Sequence, residues 1–333
     1  MTQRQLTEYN LGQSLDDLAN LDPRGYGVCR ILYAAARESM GGPLAMRAAK
    51  ALTNAVQPGD LVYILTGFVL PPWDRAETDG VVGAVLLARA LAKALGARSM
   101  LICPEEATQA AQALVELCHL QNIKVIPFTK DASEAEALAG ALLAEALPAA
   151  VVSVEAPGAD AADEYHNAAG ANVTPLEAKL DALFLACQQR DILSVAIGDL
   201  GNEIGMGKIA AQLQRFVPCI PAATAADHLV TATVSDWGCY ALIAALAFLR
   251  EDIDIMHDAD LERAACETAV RNGLIDMTGQ ATPAIDGFGL DINASVVTLM
   301  RECVCETLTL RGTCAPWFEK VIGRGYFEGK VSL

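Results

Sequence analysis

Residues 191–208 read DILSVAIGDLGNEIGMGK, and the reading of this stretch decides the fold class. Its first seven residues form an apolar run of strand length. Glycines at 198, 201, 205 and 207 then turn the chain, and Ile209, Leu213 and Phe216 follow at helical spacing. A buried strand, a glycine-rich turn and a helix in that order form the unit of a sheet covered on both faces. A helix start inside the turn, over Gly201–Gly207, would present unpaired N–H groups and a partial positive charge, which suit an anion. Two carboxylates, Asp199 and Glu203, occupy the same turn. That combination suits a metal ion, or a zwitterion carrying both an amine and an acid. The plainer alternative is a tight turn with Asn202 as helix cap. Four glycines and two acids exceed what a cap requires.

The spacing excludes the familiar nucleotide motifs. Glycines at 198, 201, 205 and 207 do not form G-x-G-x-x-G, so no nicotinamide site is indicated. A phosphate-binding loop would need glycine where Asn202 stands, and Ser or Thr where Ile209 follows Lys208. No ATP motif is therefore present.

Outward from this stretch, the chain alternates short apolar runs with amphipathic segments. Strands are expected at 61–66, 98–103, 124–127, 150–154, 191–197 and 228–233, with helices at 79–95, 107–120, 133–146, 176–189, after Gly207, and at 237–250. Uninterrupted apolar strands separated by helices predict an α/β fold with a mostly parallel sheet, helices on both faces and extra helices at both ends. The segment 1–57 reads as helical, 58–250 as the alternating core, and 251–333 as mainly helical, including 260–272 and 293–311. No repeat, low-complexity tract or Ser/Pro-rich linker divides the 333 residues, so one domain is expected.

Composition narrows the function. The chain has 24 Lys and Arg against 41 Asp and Glu, a formal net charge of −17, which argues against nucleic acid or an anionic membrane as partner. The ten cysteines lie scattered in apolar stretches without C-x-x-C spacing, as reduced core residues do, and indicate no zinc site. Residues 1–18 are polar with no apolar core of a signal peptide, and no apolar run reaches membrane-spanning length. A cytoplasmic protein with a small-molecule substrate is expected. A homo-oligomer is compatible with this reading.

Ligands of such sheets bind beyond the carboxyl ends of the strands. Four loops at that edge carry unusual residues: Thr66 and Gly67 through Glu77-Thr78-Asp79-Gly80; Glu155-Ala156-Pro157-Gly158 through Tyr165-His166-Asn167; the turn at Gly198–Gly207; and Ser235-Asp236-Trp237-Gly238. Acids at several strand ends would converge in space, as a divalent oxygen-seeking cation requires. Without a cation they would raise one another's pKa, which serves general acid–base chemistry. Each residue alone has a plainer role: Asp79 or Asp236 as a helix cap, His166 as a surface loop histidine, Trp237 as a core aromatic. Their shared placement carries the inference.

In these same segments the chain resembles the D-glutamate cyclase family: Glu77-Thr78-Asp79-Gly80, Glu155-Ala156-Pro157-Gly158 with Tyr165-His166-Asn167, Gly198-Asp199 with Gly201 to Gly207, and Ser235-Asp236-Trp237-Gly238. The resemblance runs in order from about residue 35 to the C-terminal region. Two positions depart from it: Leu200 stands in place of a usual glycine, and Asp236 where asparagine is common. The resemblance implies a lyase that cyclises D-glutamate to 5-oxo-D-proline with loss of water.

That reaction needs a neutral amine and an activated γ-carboxyl, and without ATP the activation must come from a Lewis-acid cation or a protonated carboxylic acid. Glu155, Asp199 and Glu203 are the expected cation ligands, for Mg²⁺ or Mn²⁺, with a metal-free carboxylate pair as the alternative. Glu77, Asp79, His166, Asp199 and Glu203 are the expected acid–base residues, with His166 or Glu77 taking the amine proton. Thr66, Gly67, Asn167, Gly201, Asn202, Gly205, Gly207, Lys208, Asp236 and Trp237 are expected to bind substrate, the glycine turn and Lys208 holding a carboxylate. The rival readings are another lyase or hydrolase acting on a small amino-acid derivative, and a non-catalytic ligand-binding module.

Overall fold

A computed structural model describes residues 1–121, 123–310 and 315–328. The chain opens with three helices, α1 (Gln3–Ala19), α2 (Val28–Met40) and α3 (Leu44–Ala55), before the first strand, β1 (Leu61–Thr66). Then follow α4 (Val81–Leu95), β2 (Arg98–Cys103), α5 (Glu105–Leu117), β3 (Lys124–Pro127), α6 (Ala132–Glu145), β4 (Ala150–Val154), α7 (Leu180–Gln188), β5 (Leu193–Gly198), α8 (Ala210–Phe216), β6 (His228–Thr231) and α9 (Ser235–Arg250). Helices α10 (Ala259–Arg271), α11 (Leu290–Leu310) and α12 (Ala315–Gly323) complete it. The expected helix end at Arg311, and Cys314, lie outside the described residues.

All six expected strands form one sheet, every pairing in it parallel, in the order β3-β2-β1-β4-β5-β6. Every residue of β1 and β4 is buried, because helices cover both faces. Tyr63 of β1 hydroxyl-bonds to the carbonyls of Leu142 and Ala146, which places α6 over the face that Tyr63 points to. The alternate residues of β1 face the opposite layer, where α4 and α9 lie together. Helix α9 is buried from Ser235 to Phe248, sandwiched between the sheet and an outer tier that includes α1 and α11. Gly83 lets α4 meet α9 closely; a Cβ there would lie 2.3 Å from the Asp236 carboxylate.

The strand order reverses direction at β1 and β4, since the chain moves outward from β1 to β2 and β3, then returns to β4 on the other side. Such a switch point leaves a crevice at the carboxyl ends of the two strands, where doubly wound sheets bind ligands.

The main departure from expectation follows β5. Residues 201–206 remain a loop, Gly207–Ile209 form a single 3₁₀ turn, and the helix starts only at Ala210. The amides of Gly205 and Gly207 both donate to the Thr224 carbonyl, and that of Ile204 to Ala156. The loop is stitched to its neighbours, so the turn presents no row of free helix N–H groups to an anion. Gly205 has φ +101°, and a Cβ would lie 2.2 Å from that of Ala196, so its glycine serves close packing.

Candidate active site

Loops from three adjacent strand ends bring acids together in the switch-point crevice. Glu77 and Asp79 come from the segment between β1 and α4, Glu155 follows β4, and Asp199 follows β5. Asp286 joins them from a C-terminal hairpin whose strands are Ala284–Ile285 and Phe288–Gly289. These five acids line one cleft of about 200 Å³, with Phe68, Leu70, Leu200 and Met277 as its apolar wall and Asn167 and Asn202 as polar amides. All five are buried.

The acids are held by reciprocal helix capping. Asp79, just before α4, accepts the amides of Ser235 and Asp236 at the start of α9, at 3.1 and 2.9 Å. Asp236, in the first turn of α9, accepts the amides of Gly80 and Gly83 at the start of α4, both at 2.9 Å. Two helix N-termini therefore meet beneath the acid cluster, and their partial positive charge offsets part of its repulsion. The Ser235 hydroxyl donates to Glu155 Oε2 at 2.5 Å. Glu155 itself sits at φ +44°, a left-handed conformation costly for a residue with a Cβ. Glu203 is wholly buried under its own turn, accepting the amides of Asp199, Leu200 and Gly201 at 3.0, 2.7 and 2.7 Å.

Electrostatics favour the protonated form of several of these acids. Burial, then the neighbouring Glu155 and Asp286 carboxylates, push Asp199 well above the ordinary carboxylate range. Burial, then Glu203 and Asp79, does the same to Glu155, and burial with Asp79 to Glu77. Asp79 is pushed up to about 7 by burial and Asp286, against the opposing pull of the three amides it accepts. Burial also raises Asp286, opposed by Arg24, whose guanidinium Nη2 lies 2.5 Å from Asp286 Oδ2 and 2.9 Å from the Thr233 carbonyl. Asp199 Oδ2 and Asn202 Oδ1 are buried without a hydrogen-bond partner. Orphaned acceptor oxygens beside an acid cluster call for a donor: an ammonium group or a cation.

A pH dependence follows. Asp79 has a folded pKa of about 7 against 3.8 for the free group, so the native state binds its proton more tightly than the unfolded chain does. The resulting stability is complete below about pH 4 and is lost as pH rises towards about 7. Metal-free protein should therefore melt at progressively lower temperature from about pH 4 to 7, and Asp79→Asn should flatten that slope. A flat wild-type profile in scanning calorimetry would contradict it.

The remaining sequence expectations are placed differently. Trp237 lies in the core, its Nε1 donating to Asn293 Oδ1 at 2.7 Å and its ring against Phe288, so it meets no ligand in the cleft. Asp236 sits behind the cleft as a cap. Lys208 donates to the carbonyls of Ala226 and Asp227 at 2.9 and 3.2 Å and lies outside the cleft lining. Gly201, Gly205 and Gly207 are packing glycines of the stitched loop; a Cβ at Gly207 would lie 2.1 Å from the Ala223 carbonyl oxygen. Thr66 ends β1 with a buried, unpartnered hydroxyl, and Gly67 donates its amide to the Glu155 carbonyl; neither lines the cleft. His166 also lies off the cleft lining, facing Asp160 and Glu164. Glu203 lies outside the cleft lining and accepts three amides of its own turn, while its carboxylate stays within 4.8 Å of those of Glu155 and Asp199.

Two residues escaped the sequence reading. Asp286 precedes glycine in a hairpin turn, a D-G signal that marks a turn and says nothing of burial. Arg24, in the loop between α1 and α2, pairs with it across 262 residues of sequence, and no local pattern announces that. A larger cleft of about 700 Å³ lies beside α6 and α7, lined by Tyr165, Lys179 and Asp181, but it holds none of the five clustered acids.

No helix among the described residues is long and apolar enough to cross a membrane. The nine described cysteines form no disulfide. A family model described as D-glutamate cyclase-like, C-terminal, matches residues 15–301. The curated mitochondrial D-glutamate cyclase of Homo sapiens is 31% identical over 254 residues, covering 71% of this chain and 39% of that protein. The chain thus spans well under half the length of that relative.

Proposed function

The chain belongs to the D-glutamate cyclase-like family, and from that premise we propose that it converts D-glutamate to 5-oxo-D-proline and water. One observation carries the reading: a buried carboxyl, Asp199, with an unpartnered oxygen, inside a small acid-lined crevice. At about 200 Å³ the cleft lies below the ~300 Å³ lower end of drug-sized ligand sites. That size suits a single amino acid.

In this scheme the acids receive the substrate ammonium, whose positive charge offsets the burial and repulsion that raise Glu77, and the Glu77 carboxylate so ionised takes a proton from it to free the amine. The amine attacks the γ-carboxyl carbon, forming the C–N bond of the five-membered ring. The carbon–oxygen bond to the departing oxygen breaks as Asp199, held protonated by burial and its neighbours, donates a proton to it. Glu77 returns its proton to the same oxygen, which leaves as water, and the ring nitrogen gives its second proton to the Asp199 carboxylate, so two protons pass from nitrogen to water and both acids regain their starting forms. Holding the substrate folded removes much of the entropic barrier to closure. Arg24, paired with Asp286 of the cleft lining, would orient the substrate α-carboxylate.

In the alternative with a cation, Glu155, Asp199 and Glu203, whose carboxylate oxygens lie within 4.8 Å of one another, would be its ligands, an all-oxygen set that fits Mg²⁺ or Mn²⁺. Bound there, such an ion would polarise the γ-carboxyl as a Lewis acid.

Purified protein incubated with D- or L-glutamate, with and without Mg²⁺ or Mn²⁺, should form 5-oxoproline from the D isomer, and Arg24→Met should raise KM more than it lowers kcat. No turnover of either isomer, alongside a ligand-induced rise in melting temperature, would favour a binding module instead. Turnover of a different small amino-acid derivative would favour another lyase or hydrolase, a change that Leu200 in the cleft wall could bring about.

A further inference from the structure

The long segment between β4 and α7 holds a second group of ligand-type side chains, off the cleft: Asp160, Glu164 and His166, whose donor atoms lie within 4.8 Å of one another. The imidazole of His166 is 8% exposed, and its Nδ1 has no hydrogen-bond partner. Asp160 Oδ2 stands 3.5 Å from that nitrogen, and Glu164 Oε2 stands 3.8 Å from Nε2. Both separations exceed a good hydrogen bond. Two donors each ~2.1 Å from a shared tetrahedral ion lie ~3.4 Å apart, close to the first of these distances, so the ion would sit between Nδ1 and Asp160, and the half-exposed Glu164 side chain, now nearer the other ring nitrogen, would turn to complete the set. We propose that Asp160, Glu164 and His166 form a binding site for a divalent transition ion of the zinc type, separate from the acid cleft.

The local chain is built to offer these atoms. Asp160 Oδ1 accepts the amides of Ala162 and Glu164, at 2.7 and 3.1 Å, which fixes the turn and leaves Oδ2 for the ion. The unpartnered buried nitrogen is the independent sign of a ligand, since such a group is costly unless something binds it. One imidazole with two carboxylates selects a transition ion over Mg²⁺ or Ca²⁺, which take oxygen donors alone. Water can fill the fourth position, as three protein ligands leave it open.

The ion would act as a clamp. Residues 167–169 directly follow His166 and line the acid cleft. Their segment has a small hydrophobic cluster of its own, Phe68, Tyr165 and Val173, apart from the main core. Binding metal at residues 160, 164 and 166 would fix the segment that presents Asn167 to a substrate.

Zinc titration of the full chain, read by calorimetry and by elemental analysis after gel filtration, tests this without reference to any turnover. A single zinc per chain is expected in the wild type and equally in Asp199→Asn. His166→Gln should weaken binding about tenfold or more, in the range seen when a metal's supporting residues are removed. Glu164→Gln changes a half-exposed side chain, so it should lower zinc affinity while the metal-free protein melts as wild type. The proposal is overturned if the wild type binds no zinc, or if His166→Gln and Glu164→Gln bind it unchanged. It is equally overturned if Asp199→Asn alone abolishes binding, which would put the ion in the acid cleft.

Discussion

Asp199→Asn is expected to cut 5-oxoproline formation about 100-fold or more, on the order of 3 kcal/mol in the barrier, with an unchanged melting temperature. The change is nearly isosteric. Asp199 Oδ2 has no hydrogen-bond partner to lose, and burial with its acidic neighbours already favours the neutral side chain. Asparagine keeps that neutrality and shape, but it has no acidic proton to deliver to the departing oxygen. Steady-state turnover alongside a thermal melt separates the two outcomes. Wild-type turnover in this variant would remove Asp199 from the chemistry and leave the turn a structural one.

Glu203→Gln, four residues further on, should act in the opposite way, on the fold first. One oxygen of Glu203 accepts two amides and the other accepts that of Gly201. A glutamine can reproduce one face of this arrangement, but its NH₂ would then oppose an N–H. A buried donor left unsatisfied costs ~1–3 kcal/mol, and the loss of a charge-assisted bond adds to it, so a destabilisation of about 2–4 kcal/mol is expected. Chemical denaturation would read it as a lower midpoint. Activity would fall as well, because the turn that aims Asp199 is the one that loosens. Undiminished stability would show that these three bonds do not hold the turn, and would leave a ligand or acid–base role as the use of Glu203.

The contrast between these neighbours shows how much of the site was legible in the chain. Glu77, Asp79, Glu155 and Asp199 each follow an apolar run of strand length, and parallel strands buried on both faces put their carboxyl ends along one edge. Convergence of those acids follows from pattern and topology alone. The glycines at 198–207 are equally visible in the sequence, whereas the packing that each one serves is not. A glycine needed for φ > 0, or for the close approach of Ala196, looks the same in sequence as one that opens an anion site.

Hydrophobic periodicity determined the α/β class, the six strands and their helices, because burial on both faces of a parallel sheet imposes continuous apolar runs whatever the neighbours are. The partner of each carboxylate was decided by the tertiary structure. Glu203 and Asp79 lie in turns of similar composition, yet one accepts the amides of its own loop while the other caps α9 and borders the cleft. Asp236 meets the amides of a helix more than 150 residues away, and Arg24 reaches Asp286 across 262. Periodicity reports whether a residue faces the core or the solvent; which donor a buried acid finds there depends on the packing of elements distant in the chain.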